Sequence, residues 1–213
     1  MSKSERNPKH EIQAILNGSI LQFITTSHAV TNFMIVKLGP CRLELIQGDI
    51  TQQHVDAIVN AANAALAGGG GVDGAIHDSG GPSIMQETSE KYPEGCATGS
   101  AVATAAGDLP ANYVFHAVGP IWRGGRQGEP EQLAMACRAC LQLAVKHNCA
   151  SIAFPALSAG AYGYPLDLAA ANLVKTTMDF VRWHQKPAVV KFVLFDQGAF
   201  GAFARAVEEV VPR

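Results

Sequence analysis

The sequence predicts an α/β fold, a three-layer α/β/α sandwich around a central mixed β-sheet, and three observations support it. Short runs rich in β-formers alternate with longer helical patterns, as expected where helices connect strands of one sheet. Two of the runs, VDAIVN (Val55 to Asn60) and SIAFP (Ser151 to Pro155), are almost continuously apolar, so helices should cover them on both faces. The runs at Ala101–Ala105 and Tyr113–Val118 are close enough in sequence to form a hairpin, which makes the sheet mixed rather than purely parallel.

Taken in order, the strand signals are Arg42–Gln47, Val55–Asn60, Ala101–Ala105, Tyr113–Val118, Ser151–Pro155 and Val189–Phe195, each bounded by Gly, Pro or polar turns. Helical patterns fall at Pro82–Tyr92, Glu129–His147, Asp167–His184 and Phe200–Val211, with a further helix beginning near Asp73. Residues 1–40 read as an extension that packs on or precedes a single domain at 41–213. Within the extension a helix is expected over Glu11–Ile24 and a strand over Phe33–Leu38.

A chain of 213 residues that is 48% hydrophobic and 16% charged is expected to bury one substantial core. Its formal charge of −2 gives no general pull toward nucleic acid or anionic membrane, so a phosphate-bearing ligand must be caught by local geometry. MSKSERNPKH lacks the apolar stretch of a signal peptide and no later run is long enough to span a bilayer, so a cytoplasmic protein is expected; a monomer is expected as well. Five cysteines without framework spacing fit a reducing compartment. Cys137 and Cys140 form a CxxC followed by His147 and Cys149, but they lie inside a helical pattern with no second CxxC, so they read as small core residues rather than a metal site. No metal is expected on that spacing.

The chemistry concentrates in NAANAALAGGGGVDGAIHDSGG (Asn60 to Gly81), which holds seven of the twenty-one glycines. Glycines let a backbone approach a ligand closely and aim several N–H groups at one anion, and the helix start near Asp73 adds free donors and the positive end of a dipole. The bland alternative is a flexible hinge. Gly69, Gly71 and Gly74 satisfy GxGxxG only by accident, because they begin nine residues after the strand ends. A P-loop is excluded, since no lysine lies between Lys37 and Lys91. Asp73 reads equally as a helix N-cap or as a carboxylate that orients a water or sugar hydroxyl. Asn60 is expected to satisfy local backbone groups while Asn63 reaches a polar ligand, and Asp49 either accepts from an exocyclic amine or caps a turn. His77 and His116 have no Ser or Cys in nucleophilic spacing and read as structural.

QGDIT, VDAIVNAANAALAGGGGVDGAIHDSGG, GSAVATAAGDLPANYVFHAVGP and SIAFPALSAGAYGYP, in that order over Arg42 to Val210, resemble the successive signatures of the macrodomain family, especially its MacroD-like ADP-ribosyl hydrolases. The resemblance implies ADP-ribose bound in a cleft over the sheet. Asp49 would accept from the adenine amino group beside the Ile50 backbone, and Phe195 would stack on the adenine, its alternative being a core aromatic. Asn63 and Asp73 would engage the distal ribose as the catalytic pair. Ala62 and the amides of Gly70, Gly71 and Val72 would line the first phosphate loop; Ser158, Ala159, Gly160, Ala161 and Tyr162 would form the second. Relatives commonly carry Ser-Thr-Gly-Val/Ile-Tyr/Phe there, so Ala159 and Ala161 remove a hydroxyl and some bulk. The implied activity is hydrolysis of the ester joining ADP-ribose to protein carboxylates, with O-acetyl-ADP-ribose as a related substrate and with no metal or cofactor. The rival classes are a reader of ADP-ribose without turnover and, disfavoured by the lack of basic surplus, an RNA or poly(A) module.

Overall fold

The period-two pattern of the β-rich runs places their alternate residues in two different apolar layers. A computed structural model of the chain describes residues 10–16, 19–25 and 33–210. The strands are β1 (His10–Leu16), β2 (Ser19–Thr25), β3 (Phe33–Leu38), β4 (Cys41–Gln47), β5 (Ala57–Ala61), β6 (Ala101–Ala105), β7 (Tyr113–Ala117), β8 (Ser151–Phe154) and β9 (Val189–Leu194). They form one mixed sheet in the order β1-β2-β3-β4-β9-β8-β5-β7-β6. The central run from β4 through β9, β8 and β5 to β7 is parallel, while β1 to β4 and the β6–β7 pair are antiparallel.

The helices are α1 (Val72–Gly80), α2 (Pro82–Lys91), α3 (Glu129–Lys146), α4 (Leu166–His184) and α5 (Gln197–Val210). Ala57 and Val59 of β5 point into the larger layer with Phe115, Phe154 and Phe192, where α3, α4 and α5 contribute Leu133, Leu173 and Phe203. Ile58 points the other way and meets Val114, Ala153 and Val193 beneath Ile76 of α1 and Ile84 of α2. The predicted sandwich with a mixed sheet is the observed one, and Ala101–Ala105 with Tyr113–Ala117 is the antiparallel pair expected.

One element differs. The helix expected over Glu11–Ile24 is instead the β1–β2 hairpin, paired from His10↔Thr25 to Leu16↔Ser19. The apolar spacing there fits either period, and isoleucine-rich stretches are stiff at χ1 and suit a pleated ladder better than a helix. Phe33–Leu38 is a strand as expected, and its register with β4 buries Met34, Val36 and Leu38 in the larger layer.

Cys137 and Cys140 are fully buried on α3, where Cys137 Sγ lies 3.5 Å from Thr177 Oγ1. Burial pushes the Cys137 thiol up to about 12 and Cys140 well above its ordinary value. All five cysteines are free and buried. Native protein at pH 8 is therefore expected to react with a thiol reagent only at the rate of its unfolding, with all five thiols released in guanidinium; rapid labelling of the native state would contradict this placement.

Candidate active site

Strands β8, β5 and β7 are adjacent and parallel, so their C-terminal ends open on the same side of the sheet. A cleft of about 360 Å³ lies there, and its walls are the segments that leave those strands. Ala61 to Asn63 and Gly69 to Asp73 form one wall, Ala117 and Gly119 the floor, and Ala156 to Ser158 with Gly160 to Tyr162 the other wall. The cleft lining carries no Lys or Arg. Among the described residues, the amides of Gly70, Gly71, Val72, Gly160, Ala161 and Tyr162 are donors to no protein acceptor. Facing rows of backbone N–H groups suit an anion with charge spread over several oxygens.

The first loop is shaped by its own side chains. Asn63 donates through Nδ2 to Gly68 O at 2.7 Å and accepts from Ala67 N at 3.3 Å, so it braces the loop as well as lining the cleft. Gly71 takes φ of 62° at the N-terminus of α1, a backbone region that disfavours side chains. An added Cβ at Gly74 would stand 2.8 Å from Gly69 O, and one at Gly69 would stand 3.1 Å from Asp73 Oδ2. The glycines are thus a packing requirement between the loop and α1, in addition to leaving room for a ligand.

Two expectations need correcting. Gly71, not Asp73, holds the N-cap position of α1; Asp73 lies in the first turn, turned into the protein and 6% exposed. Asn60 does not serve backbone groups: its Nδ2 donates to Asp73 Oδ1 and lies 3.2 Å from His116 Nδ1. His116 Nε2 is 2.9 Å from Thr104 Oγ1, and His77 Nε2 is 3.5 Å from Asp73 Oδ1. The rings of His77 and His116 stack at 6.0 Å. Asp73 Oδ2 is buried without a hydrogen-bond partner among the described residues. Burial, chiefly, and the neighbouring His77 hold His116 down at about 4, against a smaller opposing pull from Glu87.

In the second loop Ser158 takes φ of 63° and is buried, with Tyr164 N donating to Ser158 O at 3.1 Å. Tyr162 is tied to the next segment, its carbonyl accepting from Trp122 N at 2.9 Å, and Trp122 packs against Tyr164. That segment is held by Glu129, whose carboxylate accepts from the backbone N–H groups of Arg123, Gly125 and Gln127. Burial raises the Glu129 carboxyl, but these backbone donors outweigh it and leave it below the ordinary range.

The structure gathers Ala62, Asn63, Gly70, Gly71, Val72, Asp73, Ser158, Gly160, Ala161 and Tyr162 around one cleft. Asp49, Ile50, Ala159 and Phe195 do not line it. Asp49 caps the turn at Ile50–Gln52 by accepting from Thr51 N and Oγ1, both at 2.8 Å, while Ile50 is buried in the smaller layer. Phe195 is 84% exposed, which removes the core-aromatic alternative, and Gly48 N donating to Leu194 O brings the ends of β4 and β9 side by side. Sequence reasoning missed Gly119, whose added Cβ would stand 2.2 Å from Ser158 Oγ, and the Glu129 anchor, which only the fold brings to the second loop.

The Macro domain family model matches residues 59–173, and the chain belongs to the macrodomain family. The O-acetyl-ADP-ribose deacetylase of Salmonella gallinarum is 50% identical over 170 residues, which are 79% of this chain and 95% of that protein. The Escherichia coli K12 O-acetyl-ADP-ribose deacetylase is 49% identical over 158 residues, 73% of this chain and 89% of that one. Among solved structures, the Oceanobacillus iheyensis macrodomain with ADP superposes with a TM-score of 0.82 at 35% identity, covering 86% of this chain and 98% of its own. The Trypanosoma brucei macrodomain in complex with ADP-ribose gives 0.72 at 38% identity, with 78% and 68% covered.

Alanine in place of a helical glycine ordinarily stabilises a helix by about 1 kcal/mol. Gly74→Ala is expected to do the opposite here, lowering the melting temperature by several degrees, because its methyl group drives the Gly69 carbonyl out of place. A thermal melt reads the shift, and an unchanged or raised melting temperature would show that the loop yields freely. The depressed His116 makes a second prediction. Its contribution to stability is complete above about pH 6.5 and fades as pH falls toward about 4, a loss on the order of 3 kcal/mol. Urea unfolding of the wild type and His116→Asn across this window should show the gap between them closing with acid.

Proposed function

We propose that this chain binds ADP-ribose in the cleft and hydrolyses its esters, deacetylating O-acetyl-ADP-ribose and releasing mono-ADP-ribose from acidic side chains of proteins. The observation that carries this is Asp73: a buried carboxylate at the cleft, with one oxygen engaged by Asn60 and His77 and the other unpaired. The unpartnered amides of the two loops suit the diphosphate, and a lining without Lys or Arg leaves the charge to the backbone.

Anchoring the diphosphate between the loops sets the distal ribose beside Asn63 and Asp73. A water oriented by Asp73 adds to the carbonyl carbon of the ester, the bond from that carbon to the ribose oxygen breaks, the ribose oxygen takes up the proton that the water gives up, and ADP-ribose and the carboxylic acid are released with one water consumed. Asn63, braced against Gly68, orients the ribose. The adenine lies toward the rim formed by the ends of β4 and β9, where Phe195 offers an exposed ring and Asp49 a carboxylate. The named activities of the Salmonella and E. coli relatives and the ligands of the O. iheyensis and T. brucei structures support this reading.

Asp73→Asn keeps the shape and a partner for Asn60 but removes the basic oxygen. It should lower kcat for O-acetyl-ADP-ribose by about 100-fold or more while ADP-ribose affinity stays within about threefold. Equal turnover by both proteins removes Asp73 from the chemistry, and tight binding with no turnover of any ester by the wild type leaves a reader module.

A further inference from the structure

Beneath the cleft runs a row of buried polar side chains that the reaction itself does not use. Asn60 and His116 are register partners on β5 and β7, and Thr104 pairs with Val114 two residues earlier, so all three share the face covered by α1 and α2. Thr104 is 2% exposed, His116 1% and Asn60 0%, and they continue the apolar row of Ile58 and Val114 with polar groups. A buried polar row of this kind costs stability unless its members satisfy one another, and within it only Asn60 Oδ1 is left without a partner among the described residues.

The hydrogen bonds fix where each proton sits. Asn60 must present its amide nitrogen to Asp73 Oδ1, because its carbonyl oxygen there would face a carboxylate oxygen. The same nitrogen lies 3.2 Å from His116 Nδ1, which must then be the unprotonated acceptor. The ring proton is left on Nε2, which donates to Thr104 Oγ1 at 2.9 Å. We infer that His116 is a positioning residue: its Nδ1 lone pair orients the Asn60 amide, which in turn holds Asp73 by Oδ1 and leaves Oδ2 as the unpaired oxygen beneath the Gly69 wall of the cleft. An imidazolium would place an Nδ1–H against the Asn60 amide hydrogens and break the relay. The burial that holds His116 near 4, with its small opposition from Glu87, keeps the ring neutral through the physiological range. Oδ2 lies against Gly69, one of the cleft-lining residues, so a rotation of the carboxylate would be felt in the cleft.

This rests on the role given to Asp73 above, and the test separates the two. Asparagine places its amide oxygen where the histidine carries Nδ1, whereas glutamine reaches the Nε2 position and leaves Asn60 without its acceptor. For O-acetyl-ADP-ribose, His116→Asn is expected to keep kcat within about threefold of the wild type, and His116→Gln to lose about tenfold or more, with ADP-ribose affinity unchanged within about twofold in both. Unchanged turnover by His116→Gln, or equal loss of turnover and affinity in the two variants, overturns the relay. Nitrogen-15 spectra of the ligand-free wild type at pH 7 add a readout that needs no variant: Nδ1 should be of the pyridine type and Nε2 of the pyrrole type. The reverse tautomer refutes the relay even in a protein that hydrolyses esters, whereas unchanged turnover by Asp73→Asn removes the role given to Asp73 without altering that tautomer.

Discussion

The constraint on which this molecule depends is the parallel pairing of β5 with β8 and β7. Pairing of Ala61 with Ala117 ends β5 and β7 at one level, and pairing of Ile58 with Ala153 ends β8 two residues short of it, so three chain segments leave the sheet on the same side. Nothing in the loops could compensate for a slip of register. A shift of one residue on β5 would turn Asn60 into the larger apolar layer and deliver an aliphatic side chain to Asp73. The apolar alternation of Ala57, Ile58 and Val59 between the two layers prevents that slip, which makes the core the guarantor of the cleft.

The buried carboxylate of Asp73 is the part of the design that works against stability. An ionised group removed from water needs full hydrogen bonding, and here one oxygen accepts from Asn60, with His77 Nε2 3.5 Å away, while the other has no partner among the described residues. Asp73 also stands in the first turn of α1, where the helix dipole favours a negative charge. The arrangement keeps the carboxylate in place with half of its hydrogen-bonding capacity unspent, the condition an oxygen must meet to hold a water or a sugar hydroxyl.

Most of the fold was legible because its strands are short, apolar and bounded by turn residues, as VDAIVN and SIAFP are, and because the helices are long enough for their period to show. The Glu11–Ile24 misreading came from apolar spacing that fits both periods, although Asn17–Gly18, which separates β1 from β2 in sequence, is a dipeptide that favours two-residue hairpins. Both wall segments of the cleft could be read, since a run of glycines and the SAGAYGYP loop each follow a strand. The polar row could not, because Asn60, Thr104 and His116 belong to three strands and only lateral pairing makes them neighbours. An isolated histidine in YVFHAV carries no sign of what lies beside it.

The second loop departs from the family pattern at Ala159 and Ala161, and the structure shows why that loss of bulk need not loosen it. Ala159 lies outside the cleft lining, so a hydroxyl there is not required by the wall. The loop is held from behind. Tyr162 O accepts from Trp122 N, Trp122 packs on Tyr164, and the segment carrying Trp122 is pinned by three backbone donors to Glu129. Ser158, in its left-handed conformation, closes the other end through Tyr164 N. Rigidity that side chains within the loop would otherwise supply comes from a buried carboxylate at the start of α3, where the helix dipole and the backbone N–H groups favour its ionised form. The amides of Gly160, Ala161 and Tyr162 are therefore aimed by the scaffold behind them, and the identity of the side chains they carry matters less than the segment they lean on.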